Sequence, residues 1–94
     1  MDERVVAKEL IRILAEYQEA AGRAVPDIGL ETRPAKDLED FDSKEWPAVL
    51  ALLEEELDIL IPEDSEIFSK GKKARSVKDV VAVVCSVATV AKAS

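Results

Sequence analysis

The chain contains no histidine and a single cysteine, Cys85. The absence of histidine removes the usual general base and a common metal ligand, and it excludes catalysis by a Ser-His or Cys-His pair. One cysteine cannot form an internal disulfide, so the fold does not depend on an oxidising compartment. A pair of carboxylates could still act as acid and base, but a small acidic helical domain with no sign of a cleft disfavours this. We therefore expect a protein that is not an enzyme, with no catalytic residues and no metal site, in which Cys85 is a buried small hydrophobe.

Long apolar runs and aromatic residues are also scarce. No run approaches the ~18 apolar residues that a membrane span needs, and Met1 to Arg4 lacks the basic and then apolar pattern of a signal peptide. These features predict a cytoplasmic protein with no membrane span. Aromatics make up 4% of the sequence against 48% hydrophobic residues in total, which predicts an aliphatic core in a single domain over residues 1–94.

Basic residues are nearly missing from the middle of the chain. Residues 37–66 contain twelve acids and one base, whereas residues 67–94 contain one acid and six bases. The acidic block would repel a phosphate backbone, which argues against nucleic acid as a partner. It favours proteins with basic patches, which long-range attraction would steer to this surface.

Apolar residues recur at helical spacing in three segments. The first helix has Asp2 as a plausible cap, ends near Gly22, and has an apolar stripe of Val6, Leu10, Ile13, Leu14, Tyr17 and Ala21. The second is expected from about Ser43 to Leu57, with a stripe of Trp46, Val49, Leu50, Leu53 and Leu57. The last begins at a cap, Ser76, and continues through Val77, Val80, Val81, Val84 and Val87.

The connecting segments are less regular. Residues 23–41 are expected to form a long ordered loop with one short turn, held to the core by Ile28 and Leu30. Glu63 to Phe68 suggests one to two helical turns, and Ser69 to Arg75 a basic loop. That loop is either a solvated linker or a contact for the acidic face or an anionic partner. The fold class predicted from this plan is all-α, an irregular four-helix bundle with three longer helices, one short helix and a long first loop.

Asp42-Ser43 is followed by two features, the run Glu54-Glu55-Glu56 and the turn Ile61-Pro62. The intervals between the three follow one continuous pattern without a gap. This arrangement resembles the segment by which acyl carrier proteins hold their prosthetic group. The resemblance covers roughly Leu38 to Pro62 and extends more loosely to the first helix and to residues 76–81. It implies the irregular helical bundle just described.

The resemblance also implies a function. Ser43 would bear a 4′-phosphopantetheine arm, attached from coenzyme A by a phosphopantetheinyl transferase that works beside Asp42. A monomeric carrier of this kind would shuttle an acyl thioester between enzymes of fatty-acid, polyketide or related biosynthesis. The family's main docking surface for acyl-loading and acyl-using enzymes would correspond to five acidic residues: Glu45, Glu54, Glu55, Glu56 and Asp58.

Several positions depart from the family's pattern. Lys44 stands where the family has a leucine that contacts the transferase, Asp40 and Phe41 replace a glycine and small residues, and Pro47 interrupts the early helix. Lys44 therefore belongs to the candidate partner-binding residues and favours an alternative, a carrier-like binding or regulatory module that is never modified and acts through its acidic second helix. Another alternative is an unrelated acidic helical interaction domain, in which Ser43 is a simple helix cap.

Overall fold

The computed structural model describes residues 2–62 and 67–90. Within them lie four helices, α1 (Glu3–Ala20), α2 (Pro34–Asp37), α3 (Trp46–Leu57) and α4 (Val77–Val87). Four strands, each two residues long, complete the described elements: β1 (Ile59–Leu60), β2 (Ser69–Lys70), β3 (Lys73–Ala74) and β4 (Thr89–Val90). α1 packs against both α3 and α4.

The prediction of an all-α four-helix bundle is wrong. Although 53% of the described residues are helical, the strands form two small antiparallel sheets. β1 pairs with β4, with Ile59 opposite Val90, and β2 pairs with β3, with Lys70 opposite Lys73. A strand of two residues is too short to show an alternating pattern, so periodicity gave no sign of these sheets.

The basic segment 69–75 is a hairpin and not the expected loop. Gly71 and Lys72 connect β2 to β3, and Gly71 has a φ of +61°. A positive φ at the first of two connecting residues is typical of a type II′ turn, which suits the twist of a hairpin. The Arg75 amide donates to the Phe68 carbonyl at 2.9 Å and closes the base of this hairpin. Of the short helix expected over 63–68, residues 63–66 lie outside the described residues, and Ile67 and Phe68 are not helical.

α1 and its ends agree with the sequence. An oxygen of Asp2 accepts from the Arg4 amide at 2.9 Å, which caps the first turn, and Gly22 follows the helix with a φ of +74°. The predicted cap of α4 is also confirmed, because the Ser76 hydroxyl accepts from the Asp79 amide at 3.2 Å. Both helices have side chains that satisfy amides which an α-helix leaves without an internal partner.

Loop 23–41 is tied to α4 by its backbone. The Val77 amide donates to the Thr32 carbonyl at 2.8 Å, and the Lys78 amide donates to the Leu30 carbonyl at 3.0 Å. Ile28 packs against the core as expected, but the Leu30 side chain is 49% exposed. The expectation that Leu30 anchors the loop through its side chain is therefore wrong; its carbonyl does so instead.

The core is less aliphatic than the composition suggests. The largest fully buried side chains are Phe41 and Phe68, whose rings meet edge to face at 5.3 Å. Tyr17 packs on Phe41 at 6.3 Å, and Trp46 packs on Phe68 at 5.8 Å. All four aromatic residues of the chain thus form one aromatic cluster, which joins α1, α3 and the hairpin.

Candidate functional site

Ser43 lies in a turn that precedes α3, which we call the Ser43 turn (residues 42–45). The Glu45 amide donates to the Asp42 carbonyl at 2.9 Å, and the Lys44 amide donates to Oδ1 of Asp42 at 3.0 Å. Asp42, Ser43 and Lys44 are all exposed. The Ser43 hydroxyl and the Lys44 side chain are thus accessible from solvent, and the Asp42 carboxylate shapes the turn.

α3 begins three residues after the start expected near Ser43, and Ser43 is not its cap. The helix begins at Trp46, its N-cap residue is Glu45, and no side chain caps it. The local reason is the turn itself, since the side chain of Asp42 binds the nearby Lys44 amide and closes a turn outside the helix. Pro47 occupies the first turn of α3, where a missing backbone donor costs little. Ser43 therefore lies two residues before the cap.

Glu45 is turned toward α1 and does not project as a docking residue would. Its Oε2 accepts from the Tyr17 hydroxyl, and its Oε1 accepts from Nη2 of Arg23 at 3.2 Å. The bond from Tyr17, and then that from Arg23, lower the pKa of the Glu45 carboxyl, and the Tyr17 pKa is raised by the same bond. This network fixes one end of the Ser43 turn to α1.

An apolar groove opens beside the Ser43 turn, with a volume of about 510 Å³. Ser43 lies at its edge. Its apolar walls come from α3, from the chain after β1 and from the chain before β2: Trp46, Leu50, Ile61, Pro62, Ile67 and Phe68. A cavity of this size and character can accept a small apolar ligand.

Glu54 also lines the apolar groove. One of its carboxylate oxygens accepts from the Ile61 amide at 2.8 Å, and the side chain is half-buried. Glu54, a candidate for the docking surface, is therefore turned partly inward, unlike Glu55 and Glu56. Its role here is structural, because it holds the end of β1 against α3 and shapes the polar side of the groove.

The remaining acidic candidates are exposed on α3 or just after it. Glu55 lies beside a small cleft between α1 and α3, and Asp58 ends α3 with a left-handed φ of +52°. Glu56 forms an ion pair of 3.1 Å with Arg12, which also binds Glu9 and Glu16 at 2.7 Å each. The structure thus places Glu55, Glu56 and Asp58 on an exposed surface, with Glu56 already paired to α1.

Cys85 is half-buried on α4, and burial raises the pKa of its thiol. A raised pKa leaves little thiolate at neutral pH, so the cysteine is a poor nucleophile. Over residues 2–62 and 67–90, the acidic and sulfur side chains form no group of three that could hold a metal ion.

Two parts of this site were missed from the sequence. Ile67 and Phe68 reach the groove from a segment for which one to two helical turns were expected, and Arg23 reaches Glu45 from the first loop. The only available signal was the placement of two apolar residues directly before a basic segment. That signal indicates burial but does not say against which element.

Comparison with protein-family models, with curated proteins and with solved structures gave no match. The resemblance to acyl carrier proteins therefore stays a prediction from the residues alone. In the part of the chain that the structure describes, none of the helices combines the length and the apolar character that crossing a membrane requires.

Proposed function

We propose that the protein is a carrier that bears a 4′-phosphopantetheine arm on Ser43 and transports an acyl thioester between enzymes. The observation that supports this best is the position of Ser43, an exposed hydroxyl at the edge of an apolar groove of about 510 Å³. An arm attached there projects into solvent for transfer, and it can fold back so that an apolar cargo enters the groove. This placement suits a tethered acyl group that alternates between the groove, where it is protected, and the active sites of partner enzymes.

In this proposal the two small sheets are additions to the carrier, and the attachment site and the acidic docking surface keep their roles. Asp42 and Lys44 lie beside the attachment point and would contact a phosphopantetheinyl transferase. Glu55, Glu56 and Asp58 would meet basic patches of acyl-loading and acyl-using enzymes of fatty-acid, polyketide or related biosynthesis. The carrier would act as a cytoplasmic monomer.

The test of modification is an intact-mass measurement. We expect one phosphopantetheine group to be added when the protein is incubated with coenzyme A and a broad-specificity phosphopantetheinyl transferase, and also in protein taken from its native host. Ser43→Ala should abolish the addition, whereas Ser86→Ala, at an exposed serine of α4, should leave it unchanged. An unmodified wild-type protein in both settings would overturn the proposal.

The role of the groove has its own test on the modified protein. Ala51 lines the groove and Ala48 does not, and both are exposed on α3. Loading a medium-chain acyl group should change the fluorescence of Trp46, which lines the groove, more than loading an acetyl group does. Ala51→Glu should reduce that difference and Ala48→Glu should not. Equal signals for the two cargoes would show that the groove does not shelter the chain.

A second candidate function has a specific observation in its favour. Ser43 lies two residues before the cap of α3, so a phosphodiester there would gain less from the helix N-terminus than one on a capping residue. Together with Lys44, this favours a binding module that is never modified and acts through its acidic helix. Lys44→Leu distinguishes the two: improved modification by the general transferase supports the carrier, and no modification of either form supports the module.

A further inference from the structure

A second concave surface lies between α2 and the β2–β3 hairpin, and we call it the basic cleft. It has a volume of about 530 Å³, and four cationic side chains line it: Arg33, Lys36, Lys72 and Lys73. Trp46 forms part of its wall and also lines the apolar groove. The two cavities are therefore neighbours that share one aromatic side chain.

The basic cleft is built from two elements that are held together. Nη1 of Arg33 donates to the Ala74 carbonyl at 2.9 Å, which ties the start of α2 to β3. The Arg33 amide donates to Oδ2 of Asp37 at 2.8 Å. Asp37, the acidic residue nearest to Lys36 in the sequence, thus binds the backbone and does not line the cleft. The cations on α2 and on the hairpin are thus brought to one place by fixed contacts.

Within the described residues, no carboxylate lies within ion-pair distance of Lys36, Lys72 or Lys73. The chain as a whole has a net charge of −7, so a cleft lined by four cations stands out against it. Lys70, which lies opposite Lys73 across the hairpin, does not line the cleft.

The chemistry of the walls indicates the kind of anion. Several cations around one small cavity suit a ligand with more than one negative charge, such as a diphosphate, because charge-assisted hydrogen bonds to phosphate are strong. Trp46 lines the same cavity, so a planar base of the ligand would lie beside an aromatic residue. A long polynucleotide is disfavoured, since residues 37–66 have a net charge of −11.

We propose that the basic cleft is a binding site for a small phosphorylated molecule of the nucleotide class. The cations on α2 and the hairpin hold its phosphates, and Trp46 contacts its base. This inference does not depend on modification of Ser43, and Ser43→Ala should bind the ligand as the wild type does.

The experiment is a separate titration of the full chain with each of ADP, inorganic diphosphate and adenosine. Binding is measured by calorimetry and by the fluorescence of Trp46, the only tryptophan in the sequence. We expect saturable binding of ADP and of diphosphate that weakens as salt is added, and no comparable binding of adenosine. Absence of saturable binding of both phosphates, or binding of adenosine alone, would overturn the proposal. So would stronger binding of a single-stranded oligonucleotide than of ADP, which would indicate a nucleic-acid surface instead.

Matched lysine variants locate the site. Lys36→Gln combined with Lys73→Gln should weaken ADP binding by about tenfold or more, because two charge-assisted contacts are lost. Lys8→Gln combined with Lys78→Gln removes the same charge from exposed lysines that do not line the cleft, and it should change the affinity by less than about twofold, because salt screens charges that make no direct contact with the ligand. Equal losses in both double variants would mean that net charge alone attracts the ligand, and they would contradict the proposed site. Circular dichroism confirms that each variant is folded.

Discussion

Glu45 joins the Ser43 turn to α1 and to the first loop, because its carboxylate accepts from the Tyr17 hydroxyl and from Arg23. Its place in the sequence, two residues after Ser43, marked it as part of an acidic docking surface. Its carboxylate instead binds Tyr17 and Arg23, which are 28 and 22 residues away along the chain. Local spacing predicts which face of an element a residue occupies, but it does not predict a partner that only the tertiary fold brings near.

Tyr17→Phe tests this network through the pH dependence of stability. The pKa of Glu45 is lowered in the folded protein. Its contribution to stability is therefore present above the carboxyl's unfolded pKa of about 4.3 and is lost as pH falls through the lower folded value. Removal of the Tyr17 hydroxyl should lower the urea midpoint at neutral pH.

The difference between wild type and Tyr17→Phe should shrink as the pH falls below the folded pKa of Glu45, since the carboxylate is then protonated in both proteins. The measurement is a series of urea unfolding curves from neutral to strongly acidic pH. A difference that stays constant across the series would show that the Tyr17 hydroxyl acts independently of the charge on Glu45, because the ring that packs on Phe41 is kept in this variant.

Among the elements, α1 and α4 follow from the sequence because each has a long apolar stripe and a capping side chain. α3 also follows, apart from its start, where the turn at Asp42 competes with the helix. The strands do not follow, because each is two residues long, and β1 and β4 pair across the hairpin and the whole of α4. The apolar groove was unpredictable for the same reason, since its walls come from three separate segments.

Ser76→Ala measures the cap of α4. The hydroxyl of Ser76 is the side-chain acceptor for the Asp79 amide, and the residue is buried. Its removal should lower the free energy of unfolding by about 1 kcal/mol. Ser86→Ala is the matched control, at an exposed position of the same helix, and should change stability by less than about 0.5 kcal/mol. Equal effects in urea unfolding would contradict the capping role.

Gly71→Ala measures the turn of the hairpin. No atom would meet the added methyl group, so the cost comes from the φ of +61°, which is unfavourable for residues other than glycine by about 1 kcal/mol. Gly29→Ala is the control, because its φ is not in the left-handed region and its surroundings are also open. We expect lower thermal stability for Gly71→Ala alone. An unchanged midpoint would show that the hairpin contributes nothing to global stability.

At the scale of the whole molecule, α1 is the common support of the fold. Its buried face contacts α3 and α4, and the aromatic cluster continues this core toward the hairpin. Helical spacing predicts the apolar face of each helix but not which faces meet, because the pairing of faces depends on the path of the loops. For the same reason, the sequence alone did not predict that the four aromatic residues form one cluster.

Leu14→Ala tests the central place of α1. Leu14 is fully buried, and its truncation should cost about 2–5 kcal/mol in the free energy of unfolding. Val5→Ala, on the same helix at a position 49% exposed, should cost less than about 0.5 kcal/mol. Urea unfolding followed by circular dichroism gives both values. A small loss in Leu14→Ala would mean that the core around α1 relaxes to fill the space.

The backbone bonds between loop 23–41 and α4 bear on the order in which the chain folds. The first-turn amides of Val77 and Lys78 donate to the carbonyls of Thr32 and Leu30, which lie about 45 residues earlier in the chain. Closing so long a segment costs chain entropy before any contact compensates for it, so the start of α4 and the loop must become ordered together. In hydrogen exchange, these two amides should open with the loop. The long connection therefore belongs to the cooperative folding unit, and cleavage within it should loosen the start of α4 at the far end of the sequence.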